Sequence, residues 1–280
     1  MIKLIWSCQN KTRLFPLKMK KLTVQKLIKY LSVVALVLVL FSQDVNAQRI
    51  KVRNLPSYDL APYHFGFILG MNEMLFSYRT IPGFQNVTYN SLQTPDLYSD
   101  SAHLFGIEHK PTLGFTIGIV SNLRLGEYAD LRFVPSLSFG ERDIIYKIKT
   151  NFDGVQSDII VNKKLQSTFV EFPLHLKYKG SRLNNMRPYW LAGAKYSIDL
   201  ASDSKKKRDE NNNIYIALNK NDIYGELGAG LDFYTTFFKF GIELKMSYGL
   251  TDVLKREGNI YTGGVDRFNS KLFLLSFTFE

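Results

Sequence analysis

From Val170 to Lys179 the chain reads V-E-F-P-L-H-L-K-Y-K, and every even position is apolar: Val170, Phe172, Leu174, Leu176 and Tyr178. The odd positions carry Glu171, Pro173, His175, Lys177 and Lys179. A period of two places alternate side chains on opposite faces of a β-strand. One face bears large apolar groups; the other bears ionisable groups and a proline. That division suits a wall with hydrocarbon outside and a polar interior, as in a transmembrane β-barrel. A half-solvated sheet strand shows the same period, so the reading depends on how often the pattern recurs.

It recurs seven more times. The first strand is predicted from Tyr63 to about Tyr78, with Phe65, Phe67, Leu69 and Met71 on one face. The second runs from about Lys110 to Ser121, with Leu113, Phe115, Ile117 and Ile119. The third runs from Tyr128 to about Lys149, with Leu131, Phe133, Leu137 and Phe139 opposing Arg132, Ser136, Ser138 and Gly140. The opening stretch is the fourth. The fifth covers about Arg187 to Leu200, the sixth Asp222 to about Thr235, the seventh Phe237 to Leu250 and the eighth about Ser270 to Phe279. An aromatic beside the end of a final amphipathic strand, here Phe279 before Glu280, is typical of outer-membrane barrels.

The connections alternate in length. Arg79–Glu108, Thr150–Lys164, Ala201–Asn221 and Thr251–Asn269 hold turn residues and charge and read as long loops. The links near Asn122–Gly126, Gly180–Asn185 and Thr235–Thr236 are short. The expected fold is therefore all-β: an eight-stranded antiparallel transmembrane β-barrel with short periplasmic turns and long extracellular loops. Ten strands follow instead if Ile214–Leu218 or Asp158–Val161 pairs within the bilayer.

Targeting changes the meaning of the composition. Lys18, Lys20, Lys21, Lys26 and Lys29 precede an apolar run, Leu31–Phe41, and Val45-Asn46-Ala47 offers a cleavage point before Gln48. The run is about eleven residues, short of the roughly twenty a spanning helix needs. Residues 19–47 are thus expected to be a signal peptide, 1–18 an over-extended start, 48–62 a periplasmic lead and 63–280 the barrel. Of 36 basic and 25 acidic groups, eight and one fall before Gln48, leaving 28 against 24. The formal +11 is mostly export signal, which argues against a nucleic-acid partner. Cys8, the single cysteine, also precedes the signal, so the exported part has no disulfide and no thiolate chemistry.

A barrel of eight strands is just wide enough for its own side chains or one small ligand. The expected inward charges are Arg132, Glu171, His175, Lys177, Lys195, Glu226, Asp232, Lys239, Glu243 and Lys245. Buried charges are tolerable only when paired, so a cross-strand ion-pair network plugging the lumen is expected. A conducting pore is the sharper alternative. Pro173 cannot donate to a ladder and is expected to mark a bulge. Asp100, His103, Glu108 and His109 could be assembled into a metal site on paper, but their segment reads as loop without helical spacing. No G-x-S-x-G and no P-loop is present, and no nucleophile, base and orienter can be assigned. Neither catalytic residue, cofactor nor metal is expected.

Three stretches, Phe169–Lys179, Arg187–Lys195 and Gly225–Phe233, resemble the repeating strands of the Bacteroidetes outer-membrane β-barrel superfamily. The lead is more specific. Asn54-Leu55-Pro56-Ser57-Tyr58-Asp59, with Pro62–Phe67 and Gly70-Met71-Asn72, resembles the N-terminus of PorT/SprT proteins, outer-membrane components of the type IX secretion system. The resemblance implies a non-enzymatic role in exporting proteins across the outer membrane and, in some bacteria, in gliding motility. It implies outer-membrane lipid and other type IX translocon proteins as partners. Asn54, Leu55, Pro56, Tyr58, Asp59 and His64 become candidates for family-specific contacts; the plainer reading makes them a tether and a strand start. A barrel enzyme acting on lipid or peptide, or an adhesin, is the competing class.

Overall fold

The computed structural model describes residues 52–94, 96–201 and 216–280. The expected signal peptide, the preceding start and the polar runs Lys205–Arg208 and Asn211–Asn213 lie outside them. Eleven strands form one antiparallel sheet: β1 (Tyr63–Thr80), β2 (Thr88–Asn90), β3 (Ser101–Lys110), β4 (Thr112–Arg124), β5 (Ala129–Phe133), β6 (Ser136–Phe152), β7 (Val155–Lys179), β8 (Met186–Asp199), β9 (Asn221–Tyr234), β10 (Lys239–Gly249) and β11 (Val265–Phe279). A short α-helix, α1, covers Ile260–Gly263, and 3-10 turns cover Tyr58–Leu60 and Phe84–Asn86.

The sheet closes on itself. β1 pairs with β11 on one side, Phe67 opposite Phe279, and with β4 on the other, Phe67 opposite Ile119. β5 and β6 are two halves of one stave. Both pair with β4 and β7, and neither register changes across the break at Val134–Pro135. The staves are therefore β1, β4, β5/β6, β7, β8, β9, β10 and β11, eight in all. Closure leaves the staves no free edge, which is what hydrocarbon requires of backbone amides and carbonyls.

Polarity inverts along β1, β6 and β11. On β6, Leu137 and Phe139 face out while Ser136 and Ser138 are buried inside. A few residues on, Glu141, Lys147 and Lys149 occupy the outer face, and Ile144, Tyr146 and Ile148 turn inward and are buried. β1 switches at Glu73 after Phe65, Phe67, Leu69 and Met71, and β11 at Lys271 before Phe273. The change marks the edge of an apolar belt roughly 25 Å tall, the height of a membrane-barrel band. Within it, aromatic rings pair across strands: Phe67 on Phe279 at 4.8 Å and Phe115 on Phe139 at 4.7 Å. Exposed Tyr63, Tyr178, Trp190 and Phe237 ring the short-turn end, and Tyr196 and Tyr248 the other, as interfacial aromatics do.

Several expectations need correction. Arg79–Glu108 is not all loop: Ser101–Lys110 is β3, paired with the outer part of β6. A register shift between Leu104 and Gly106 breaks its alternation, which hid the strand from a period-two reading. Thr150–Lys164 is not a loop either. β6 and β7 continue beyond the belt as one hairpin, joined at Asp153–Gly154 with φ +48° and +78°. That pair of left-handed residues is the tight turn that Asp-Gly favours. Asp158–Val161 therefore extends two existing staves outside the belt. Of the other segment considered for a ninth and tenth strand, Leu218 makes one isolated bridge to Leu254, and Ile214 lies outside the described residues. Pro173 marks no bulge. It faces Val134 in unbroken register, and the Val134 amide donates to its carbonyl at 3.3 Å. The bond that Pro173 cannot donate falls opposite the break in the neighbouring stave, so the ladder absorbs it there. The final strand begins at Val265, earlier than Ser270, because the chain enters it directly from α1.

Candidate functional site: a charge-filled lumen and a strapped mouth

All ten inward charges named from the sequence are buried. The alternation that puts leucine and phenylalanine against lipid puts these groups on the opposite face, and closure then brings distant strands together. The deepest cluster joins four staves. Lys195 Nζ lies 2.8 Å from Glu171 and 3.2 Å from Glu226, His175 Nε2 is 2.6 Å from Glu226, and the Ser138 hydroxyl donates to Glu171 at 2.9 Å. Next to it, Glu243 accepts from Arg132 at 2.6 Å and from the Tyr189 hydroxyl at 3.0 Å, and pairs with Lys245 at 2.9 Å. Lys177 donates to Asp232 at 2.7 Å, with its ammonium 3.7 Å from the Tyr189 ring centroid. That ring lies over Gly230, where an added Cβ would stand 2.4 Å from it, so only glycine fits.

Further members lay beyond the sequence reading. Glu280 reaches into the short-turn mouth, accepting from Lys239 at 2.6 Å and from Asn122 at 2.7 Å, with Arg132 3.7 Å away. Lys179 pairs with Asp130 at 2.6 Å. At the other end of the lumen Arg142 lies 3.2 Å from Asp199, and its guanidinium sits 4.4 Å over Phe76. Strand parity could have found Asp130, Arg142 and Asp199, which share the inward face with groups that were named. Glu280 follows the last strand and has no parity signal. With carboxylates and cations matched in this way, the interior is filled by its own side chains, as a barrel of eight strands allows.

The lead folds against the short-turn mouth as a strap. The Asn54 amide donates to Asn185 Oδ1 at 2.9 Å, and its side chain donates to the Tyr234 carbonyl at 3.0 Å. Arg182 donates to the Asn54 carbonyl and stacks 3.7 Å over the Tyr234 ring. Leu55, at φ +48°, turns the chain, and Pro56 stays exposed. Tyr58 enters the mouth: its hydroxyl donates to Glu280 at 3.2 Å, and its ring stacks on His64 at 4.0 Å. Burial pushes that hydroxyl well above its ordinary pKa. Asp59 accepts from the Tyr234 hydroxyl at 2.8 Å and lies 3.3 Å from Arg187 and 3.6 Å from Arg182. Burial would raise the Asp59 carboxyl, but the Tyr234 hydroxyl and Arg187 outweigh it and hold the group below the usual carboxylate range. Asn54, Tyr58, Asp59 and His64 are thus brought together at one mouth, whereas Pro56 makes no polar contact there.

The opposite mouth is apolar. Phe76, Leu104, Ile144, Tyr146, Ile148, Leu254, Tyr261 and Phe268 belong to one core between the stave extensions. Tyr261 donates to Asp96 at 2.7 Å, and Lys163 lies 3.0 Å from the same carboxylate, tying the long β1–β4 connection to α1 and β7. Among the described residues no group of three or more His, Cys, Asp or Glu side chains could hold a metal ion.

Residues 61–255 match a family model described as an outer membrane protein beta-barrel domain. No curated protein matches the chain. Seven chains of solved structures do. Among them is the outer membrane protein OprG from Pseudomonas aeruginosa, 11% identical over 78% of this chain and 95% of that one, with a TM-score of 0.41.

Proposed function

This chain belongs to the outer-membrane protein β-barrel family, and we propose that within it the protein is a non-enzymatic component of the type IX secretion system. In this reading it supports export of proteins across the outer membrane and, in some bacteria, gliding motility. The carrying observation is the strap. The stretch Asn54–Asp59 that resembles the PorT/SprT lead is also the stretch that docks on Asn185, Tyr234, Arg182, Arg187 and Glu280. The residue types of that stretch are thus the ones its docking on the barrel requires. The lumen supports the same reading, because its acids and bases neutralise one another and leave no passage for a folded substrate. The barrel then acts through its surfaces, with the strap in the periplasm and the long loops outside, held in outer-membrane lipid and contacting other translocon proteins.

Deleting the gene is expected to abolish secretion of proteins that carry type IX C-terminal signals. Normal secretion in the deletion strain refutes the proposal. Mass spectrometry of what accompanies the intact barrel out of solubilised outer membrane would then identify the partners.

A further inference from the structure

Beyond the belt, β2, β3, β6 and β7 form a four-stranded sheet whose two faces differ. The inner face carries Ala102, Leu104, Tyr146 and Ile148, which sit in the apolar core and hold the sheet rigid. The outer face carries two polar rows in register: Ser101–Asn151–Gln156 and His103–Lys149–Asp158. Phe105 and Gln85 border these rows, and between them lies a hollow of about 470 Å³, within the size range of small-ligand sites.

The lining chemistry is specific. Most small-molecule pockets are apolar with a few polar groups; here amides, hydroxyls, an imidazole and an ammonium surround one aromatic ring. Asn and Gln each offer a donor and an acceptor, the match for a hydroxyl that must do both. The Gln156 side chain on the outer row is exposed, with both its amide donor and its acceptor open to a ligand. The Lys149 ammonium lies 5.4 Å from the Phe105 ring centroid. Among the described residues it makes no ion pair, although Asp158 stands opposite it in register. No carboxylate lines the hollow itself.

We propose that this hollow binds an anionic saccharide. One sugar ring lays its C–H face on Phe105, hydroxyls bond to Ser101, Gln156 and Gln85 Oε1 (the Gln85 Nε2 already donates to the Phe105 carbonyl at 3.0 Å), and a carboxylate or phosphate on the sugar meets Lys149 beside His103. The site lies on the flank of the projecting hairpin. Lys149 is eight residues along β6 from Glu141 at the belt edge, on the order of 25 Å at a strand's rise per residue. Only the long saccharide chain of a glycolipid such as lipopolysaccharide, or a free saccharide, reaches that height. The inference stands independently of the secretion reading.

The test is calorimetric titration of the full chain, purified in a zwitterionic detergent without a sugar headgroup. Trigalacturonate is the anionic probe, maltotriose the neutral one, and acetate the bare anion. Trigalacturonate is expected to bind at least about five-fold more tightly than maltotriose, since a charge-assisted hydrogen bond is roughly twice as strong as a neutral one. Lys149→Ala should reduce its affinity to the maltotriose level, Lys149→Arg should retain most of it, and Gln156→Ala should weaken both sugars. Thermal unfolding should be unchanged in each variant. Acetate binding as tightly as trigalacturonate, or equal trigalacturonate affinity in wild type and the Lys149→Ala/Gln156→Ala double variant, overturns the proposal, as does absence of sugar binding. Nanodiscs containing lipopolysaccharide whose long saccharide chain carries uronic acids separate the two sources. Loss of trigalacturonate binding in those discs assigns the site to the lipid-borne chain, and undiminished binding assigns it to free saccharide.

Discussion

Lys195 holds two carboxylates, Glu171 and Glu226, that belong to different staves and are both buried. Replacing it by methionine keeps the volume, leaves Glu171 without a cation and leaves Glu226 with His175 and Ser247 only. The expected loss is about 3–5 kcal/mol, the cost of breaking a buried pair from one side. Neutralising the carboxylates as well, with Glu171→Gln and Glu226→Gln, should recover part of it. Urea refolding into lipid vesicles measures both, and a Lys195→Met barrel as stable as wild type would contradict the network. Asp59 gives a pH dependence at the strap. Its folded-state pKa is depressed by Tyr234 and Arg187 against the effect of burial. Its contribution is therefore fully present above the ordinary carboxylate pKa of about 3.9 and is lost as pH falls through the lower folded value. Limited proteolysis by an acid-active protease should cut the strap progressively below about pH 4 and spare it at pH 5. Asp59→Asn should expose it at both. At this scale the ten lumen charges were legible, because strand parity alone assigns each to a face. Their partners were not, because Lys195 and Glu171 pair only once β7 and β8 lie side by side.

The elements divide at the belt edge. Leu244 faces outward in mid-belt on β10, whereas Ile160 is equally apolar and more exposed, at 70%, but sits on the projecting hairpin. Arginine at Leu244 should cost about 2–4 kcal/mol of folded-barrel stability, the penalty for a cation facing hydrocarbon at mid-depth. Arginine at Ile160 should stay within about 0.5 kcal/mol, as at an ordinary surface position. Equal effects in vesicle refolding would mean that the belt does not end between these levels. The hairpin itself was legible only in part. Asp153-Gly154 was seen as turn chemistry, but the flanking residues looked like loop because outside the bilayer polar groups take the outer face. A reading tuned to outward apolar residues fails where the surrounding solvent changes from lipid to water.

For the whole molecule, the filled lumen and the strap predict a barrel that does not conduct. Full-length protein in planar bilayers should give no stepwise conductance. Deleting Val52–Leu60 should leave it silent, because the Arg132, Lys239 and Glu280 cluster behind Tyr58 remains in place. Regular open-channel steps from either protein would overturn the plugged-lumen reading. Each mouth is closed by a different chemistry: ion pairs and the strap at the short-turn end, and an apolar core at the other.

Eight amphipathic stretches, the alternation of short and long links and the charge of the inner face were all present in the chain's order, since a period of two and turn chemistry are local properties. Which carboxylate meets which cation was decided by tertiary structure. So were the docking of Asn54–Asp59 under the barrel, the continuity of β5 and β6 across Pro135, and the polar hollow around Lys149. Each of these depends on separate strands coming side by side in the sheet, and no repeat along a single strand records which strands become neighbours.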